Sequence, residues 1–371
     1  MKDVIIVGGG LAGLVNAIIM ARAGLDVILI EKKQYPFHRV CGEYVSNEVV
    51  PFLKSIDGYP ASFDPPQIQR FMLSSVSGKK VEMPLDLGGF GLSRYSLDHH
   101  LYELAKKAGS IFRLNTTVDY ISYEGDHFQV WLSGGGEILK SRVVVGAYGK
   151  RSKLDTALNR SFMKQRSPFL AVKYHINYDI PNDLIALHNF EGGYCGISKV
   201  EDEKVNLCYL SHRRQLKKYK SINDLQQNVL CKNPLLATIF NEAEFLFEKP
   251  LVINEISFEK KSAVENHVLM SGDSSGLITP LCGNGMAMAI HSAKVLSDLV
   301  IRYFKGEISR KNLEQFYQKR WNQLFSARLW VGRRSQSLFG TGLASELAIF
   351  TMKNFKPVAR TIMKNTHGEV F

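Results

Sequence analysis

Between residues 3 and 31 the chain runs through a short β-branched stretch, three glycines, an apolar helix-forming stretch and a second β-branched stretch that ends on an acid. The β runs are Val4-Ile5-Ile6-Val7 and Val27-Ile28-Leu29-Ile30, Gly24 stops the helix, and the acid is Glu31. Strand, helix and parallel strand within about 30 residues make one βαβ unit. Its turn, Gly8-Gly9-Gly10-Leu11-Ala12-Gly13, is a GxGxxG. Gly8 permits the tight turn, Gly10 lets the backbone approach a pyrophosphate with no Cβ in the way, and Gly13 lets helix and strand pack closely. Leu11 and Ala12 open the helix, whose free N–H groups and positive dipole end favour phosphate. Glu31, with Lys32 beside it, stands where a carboxylate accepts both ribose hydroxyls of an adenosine half. The same charge repels a 2′-phosphate, so NAD or FAD is expected at this turn and NADP is disfavoured.

The opening stretch is read as part of the fold rather than as a secretory signal, because Asp3 follows Lys2 at once and the glycines interrupt the apolar run. No stretch reaches the roughly 20 uncharged apolar residues of a spanning helix. The 371 residues are 45% hydrophobic and 22% charged, enough for two domains with a large core. A net charge of +12 favours anionic partners such as phosphates, nucleic acid or acidic lipid headgroups without naming one. Five cysteines, at 41, 195, 208, 231 and 282, form no CxxC pair and leave one over in any disulfide scheme, so a reducing, cytoplasmic compartment is expected.

Downstream, apolar residues at Leu97, Leu101, Leu104 and Ala105 predict an amphipathic helix over Ser96 to Ala108. Strands are expected at Val118 to Tyr123, His127 to Leu132 and Val143 to Gly146, with a tight turn at Ser133-Gly134-Gly135-Gly136. From Phe169 to Phe258 alternating strands around a helical insert at Ile222 to Phe240 predict an antiparallel sheet. A buried strand, Val268-Leu269-Met270, then leads to a second Gly-rich turn, Gly272-Asp273 through Pro280 to Gly283-Asn284-Gly285-Met286, and a long helix from about Cys282 to Phe304. Ser309 to Lys364 reads as wholly helical. A second phosphate-friendly turn is one too many for a plain dehydrogenase.

With both turns in view, the sequence resembles the FAD-dependent oxidoreductases that include aromatic-ring hydroxylases, geranylgeranyl reductases and flavin halogenases. The resemblance implies that Asp273, after Gly272, hydrogen-bonds the ribityl chain of FAD, and that Gly283, Asn284 and Gly285 lie along the pyrimidine edge of the flavin. A helix start there would stabilise the negative charge of reduced flavin. Leu92-Ser93-Arg94-Tyr95-Ser96-Leu97-Asp98 resembles a helix start whose arginine, here Arg94, lies near the FAD diphosphate, with Ser96 or Asp98 suited to capping. Val40-Cys41-Gly42-Glu43, preceded by Arg39, resembles the Cys-Gly-Glu segment of the geranylgeranyl reductase branch that runs past the flavin. Phe190 to Ile197, with Lys199 and Asn206, resembles the strand pair over the flavin in that branch, lacking an aromatic near Cys195 or Gly196. Tyr148 stands where aromatic hydroxylases carry an acid, which leaves the electron donor open between NADH and NADPH. The halogenase motif Trp-x-Trp-x-Ile-Pro is absent.

The resemblance thus implies noncovalent FAD held by Gly8, Gly10, Leu11, Ala12, Gly13, Glu31, Lys32, Arg39, Cys41, Gly42, Arg94, Val118, Gly272, Asp273, Pro280, Gly283, Asn284, Gly285 and Met286. The expected fold is α/β: a Rossmann-like FAD-binding domain with an inserted, mainly antiparallel β-sheet substrate domain and a helical C-terminus. The expected parts are 1–168 (with a substrate-domain excursion near 50–90), 169–262, a return segment 263–305 and a helical region 306–371. The favoured reaction is monooxygenation of an apolar or aromatic small molecule, with saturation of an isoprenoid or polyketide double bond as the alternative and a non-catalytic flavin-binding protein as a third reading. HExxH, CxxC and GxSxG are absent, so hydrolase triads and zinc chemistry have no support. The run His212 to Lys220 has no binding module around it and reads as a solvated helix or loop rather than a nucleic-acid site. Leu343 to Met363 mixes apolar residues with Lys353, Lys356, Arg360 and Lys364, and can either cap the substrate domain, which is favoured, or rest peripherally on an acidic, lipid-bearing membrane.

Overall fold

The computed structural model describes residues 1–164, 167–279, 283–336, 341–355 and 368–371. The chain opens with β1 (Lys2–Val7), α1 (Leu11–Arg22) and β2 (Val27–Ile30), and β2 lies parallel to β1 with Val4 opposite Val27 and Val7 opposite Ile30. It then leaves through β3 (Tyr44–Ser46), α2 (Val50–Ser55), β4 (Gln67–Ser74) and β5 (Lys80–Gly91). It returns through α3 (Arg94–Lys107), β6 (Ile111–Arg113), the meander β7 (Val118–Glu124), β8 (His127–Leu132) and β9 (Ile138–Gly146), and α4 (Lys153–Ala157). Next come β10 (Phe169–Asn177), β11 (Leu184–Phe190), β12 (Gly193–Lys199) and β13 (Val205–His212), then α5 (Arg213–Tyr219), α6 (Ile222–Asn228) and α7 (Pro234–Glu242). The last elements are β14 (Glu244–Phe245), β15 (Leu251–Ile256), β16 (Val264–Glu265), β17 (Val268–Met270), α8 (Gly285–Phe304), α9 (Arg310–Gln336) and α10 (Gly342–Asn354).

Two sheets organise the described residues. The first has the order β16-β17-β9-β1-β2-β6, with β7 and β8 attached through β9; the second has the order β14-β10-β13-β12-β11-β4-β5-β3, with β15 also on β10. The first is parallel at its centre, and β1 and β2 are apolar throughout their cores because both faces are covered. On one face α1 is buried almost all round, wedged between the sheet, α3 and α8. Asn16 fits there because its polar atoms are satisfied: Nδ2 donates to Ala12 O and Ser271 Oγ, and Oδ1 accepts from Ser297 Oγ. Residues 44–91 belong to the second sheet, three of whose strands they supply.

Two local expectations need correction. Ser93, not Ser96 or Asp98, caps α3: its hydroxyl accepts from Ser96 N, which releases Asp98 to pair with arginines. The long helix starts at Gly285 rather than near Cys282, because Gly283 at φ 62° sits in the left-handed region. Among the described residues, the region after Ser309 holds two helices, α9 and α10. Pro280 and Cys282, and with them Val358, Arg360 and Lys364, lie outside the described residues.

Candidate functional site

The first glycine turn is held from within. A Cβ at Gly8 (φ 105°) or Gly13 would run into backbone, Ala147 in one case and the Gly8 carbonyl in the other. Gly10 differs, since a Cβ there would meet only Arg94 Nη2, at 3.5 Å. No side chain caps α1, so its first amides are left for another acceptor beside that guanidinium. Glu31, 4% exposed, accepts from Gly9 N at 2.8 Å and from Lys33 N at 3.1 Å, while Lys32 is exposed. Arg39 bridges the turn, reaching Gly9 O at 3.0 Å, Glu31 at 3.3 Å and Asp98 at 2.9 Å. Arg94 makes two bonds to Asp98, at 2.6 and 2.8 Å. Burial works against the Arg94 charge and Asp98 more than offsets it, so its pKa lies above the ordinary value. Asp98 thus holds both guanidiniums at the mouth of the turn.

The second turn lies against the same helix. A Cβ at Gly272 would press on Ala12 Cβ at 2.9 Å, and Gly272 N donates to Ser292 Oγ at 2.9 Å. Asp273 lines a small cavity with Gly276, Ile278, Gly285 and Met288. Among the described residues its carboxylate makes no hydrogen bond or ion pair. Gly283 packs over the Tyr44 ring, where a Cβ would come within 3.2 Å, and Asn284 hydrogen-bonds Glu48. Met286, Leu11 and Ala12 send their side chains into the core, leaving only backbone to the turns. Val118 is likewise a core residue of β7, although Thr116 N, two residues before it, donates to Glu31 O.

Segment 39–44 joins these turns to the second sheet. Arg39 grips the first turn, Tyr44 underlies the second, and Cys41 O accepts from Asn206 Nδ2 of β13 at 3.3 Å. A Cβ at Gly42 would meet nothing within 4 Å, so no protein contact requires a glycine there. Glu43, at φ 54° and fully buried, accepts from Arg94 N (2.7 Å), His175 Nε2 (2.7 Å) and Lys173 Nζ. Burial opposes ionisation of Glu43, but Lys173 and His175 outweigh it and hold the carboxyl below its usual range. His38, edge-on to His175, is pushed down to about 4 by burial and then by Lys173 and His175, so it is neutral at pH 7. Reading motifs in isolation missed Lys173 and His175. Their signal was two polar residues at i and i+2 in the otherwise apolar β10, one polar stripe on a buried strand.

Along that sheet face polarity falls in order. His175 pairs with Asn206, Lys173 with Cys208 and Ala171 with Leu210, and beyond them lie Tyr194, Leu187 and Leu73 in an apolar cluster closed by Leu277 and Ile349. Cys41, Cys195, Cys208 and Cys231 are all free thiols. Tyr148 turns into the first sheet onto Met270 Sδ, and burial raises its pKa. Among the described residues no group of three or more His, Cys, Asp or Glu could hold a metal, and no helix is long and apolar enough to cross a membrane.

A βαβ glycine turn, a buried acid at the end of its second strand and a returning glycine turn on one helix define a dinucleotide-cofactor protein of the two-sheet flavoprotein class. The chain belongs to the FAD binding domain family, whose model matches residues 1–324. It is an FAD-dependent oxidoreductase of the superfamily that joins aromatic-ring hydroxylases and geranylgeranyl reductases. It is 28% identical to the digeranylgeranylglycerophospholipid reductase of Methanosarcina acetivorans over 86% of this chain and 80% of that protein. It is 22% identical to the tryptophan 2-halogenase of Chondromyces crocatus over 93% and 72%. Among solved structures, a geranylgeranyl bacteriochlorophyll reductase-like protein from Thermoplasma acidophilum shares the fold at a TM-score of 0.80 and 19% identity, covering 98% of this chain and 96% of that one.

The residues present fit FAD: two uncapped helix starts, glycines at 10 and 42 that no protein packing demands, and two guanidiniums, Arg39 and Arg94, held at the first turn.

Proposed function

We propose that this protein is an FAD-dependent reductase that saturates carbon–carbon double bonds of an isoprenoid chain. One observation carries the reading: the buried Lys173–Glu43–His175 cluster sits at the polar end of a sheet face whose other end is an apolar surface. Saturating a double bond takes a hydride equivalent and a proton. Reductases acting on digeranylgeranylglycerophospholipids, by their names, are among the relatives matched over most of their length, which supports the same choice.

In this reading Arg39, Arg94 and the α1 amides hold the diphosphate, Glu31 the adenosine ribose, and Asp273 the ribityl chain. Gly283, Asn284 and Gly285 lie along the pyrimidine edge, with Cys41 and Gly42 beside the ring. Bound and reduced, FAD supplies the hydride equivalent. Glu43, held ionised, accepts from His175 Nε2 and Lys173 Nζ and so keeps both protons in place, and Lys173 delivers one along the face it shares with Ala171. Leu73, Leu187, Tyr194 and Leu210 bind the chain and exclude water.

The test is anaerobic incubation of dithionite-reduced, FAD-loaded protein with a geranylgeranyl lipid. The expected result is reappearance of oxidised-flavin absorbance and product mass higher by one hydrogen pair for each bond reduced. Substrate-dependent oxygen uptake with an oxygenated product would overturn the reading in favour of a monooxygenase. Anaerobic reduction by NADH and then NADPH identifies the donor.

A further inference from the structure

α10 carries two apolar stripes on opposite sides of one helix. Ser345, Ala348, Ile349 and Met352 recur at i, i+3, i+4 and i+7 and face inward. Ser345 and Ile349 are 1% and 5% exposed, and Ile349, flanked by Ala348 and Met352, completes the apolar cluster of Leu187, Tyr194, Leu210 and Leu277. Half a turn round, Leu343, Leu347 and Phe350 are 89%, 65% and 59% exposed, with Phe355 at the helix end also exposed. A helix that only closed a protein interior would present polar residues outward.

The charge around the outer stripe is one-sided. From Trp330 through Lys364 the sequence has one acid, Glu346, against six lysines and arginines, of which Arg333, Arg334 and Lys353 are among the described residues, and Glu346 is paired with Lys79 at 3.1 Å. Near the end of α9, exposed Trp330 lies under the Arg334 guanidinium at 5.5 Å, an aromatic and a cation of the kind that favours a lipid headgroup layer. A second copy docking on the same patch would set one cationic stretch against another.

We infer that α10 docks on an anionic phospholipid surface, its outer stripe in the acyl boundary, and serves as the lid beneath which an apolar substrate passes from lipid to the sheet face. Docking stands on the helix itself, while passage of substrate rests on the proposed reductase function. An acidic bilayer supplies apolar cover for the outer stripe and complements the net positive charge of the stretch.

The test is co-sedimentation of the full-length, FAD-loaded protein with vesicles of phosphatidylcholine alone or mixed with phosphatidylglycerol. Binding is expected to rise with phosphatidylglycerol and to fall with added salt. Leu347→Glu with Phe350→Glu is expected to weaken it by about tenfold or more while flavin content and circular dichroism stay unchanged. Wild-type protein left in the supernatant, equal partition of the variant, or a lipid-free dimer that the variant dissociates would each overturn the inference. Partition is read without turnover. A protein that docks yet saturates no double bond fails only the reductase reading, and one that reduces a short, soluble prenyl compound but ignores vesicles fails only this one.

Discussion

The first glycine turn and the Glu43 cluster are both buried, both charged and joined by segment 39–44, yet they are built in opposite ways. The turn is mostly local: Gly9, Gly13, Glu31 and Arg39 lie within about 30 residues and are tied through the Gly8 and Gly9 backbone, with Gly8 also packed on Ala147 and Arg39 on Asp98. The cluster is assembled over distance, Glu43 meeting His175 across 132 positions and Lys173 across 130. A local device fails sterically when altered, whereas an assembled one fails electrostatically and can be repaired by altering its partner.

Gly13→Val tests the first half most severely. A side chain there collides with the Gly8 carbonyl, so the variant is expected to be insoluble or colourless, read as flavin absorbance per protein; a yellow, stable Gly13→Val protein would break the contrast. Next in size, Glu43→Gln leaves the Lys173 charge buried without its counter-ion and should lower the unfolding free energy by about 3–5 kcal/mol. Adding Lys173→Met should recover most of that in the same denaturant titration, and no recovery would mean that Glu43 holds more than a charge.

Glu48 extends the assembled region. Burial raises its pKa to about 7, against Arg328 at 3.5 Å, Asn284 and the Gly368 backbone. A folded carboxyl titrating above its unfolded value binds more protons folded than unfolded, so stability is greatest at low pH and declines as pH rises from about 4.5 to about 7. The decline is up to about 3 kcal/mol. Glu48→Gln should flatten that slope in unfolding curves taken across the interval. The smallest effect is expected at Gly10, the glycine that packing does not require. Gly10→Ala should fold normally and weaken FAD by about tenfold, or about 1.4 kcal/mol, in a flavin titration. A folding defect instead would show that this position, too, is locked from within.

The same contrast explains what could be read in advance. The βαβ unit, Glu31 and the second turn were legible because each is a short pattern with its own steric logic. Several elements were legible to the residue, among them the strands His127–Leu132 and Val268–Met270. The α3 cap was misassigned because three residues within six positions could supply the acceptor; Arg39 and Arg94 draw Asp98 away, and Ser96 donates its own N–H to Ser93. Glu43 was visible as part of Cys41-Gly42-Glu43, but the segment alone carries no sign of the strand that would face it. Lys173 and His175 looked like ordinary polar positions until register placed them opposite Cys208 and Asn206.

One feature of the first sheet bears on how the chain is made. The C-terminal half of β9, paired with β1 on one side, gains a neighbour on the other only when β17 arrives, Val145 opposite Leu269 and Gly146 opposite Met270, and α1 gains α8 later still. A nascent chain emerging from the ribosome therefore exposes a bare strand edge and a naked apolar helix flank through most of its synthesis. The cofactor half cannot be excised as a self-sufficient fragment from its first 168 residues, and early termination should yield an aggregating stub rather than a miniature flavin binder.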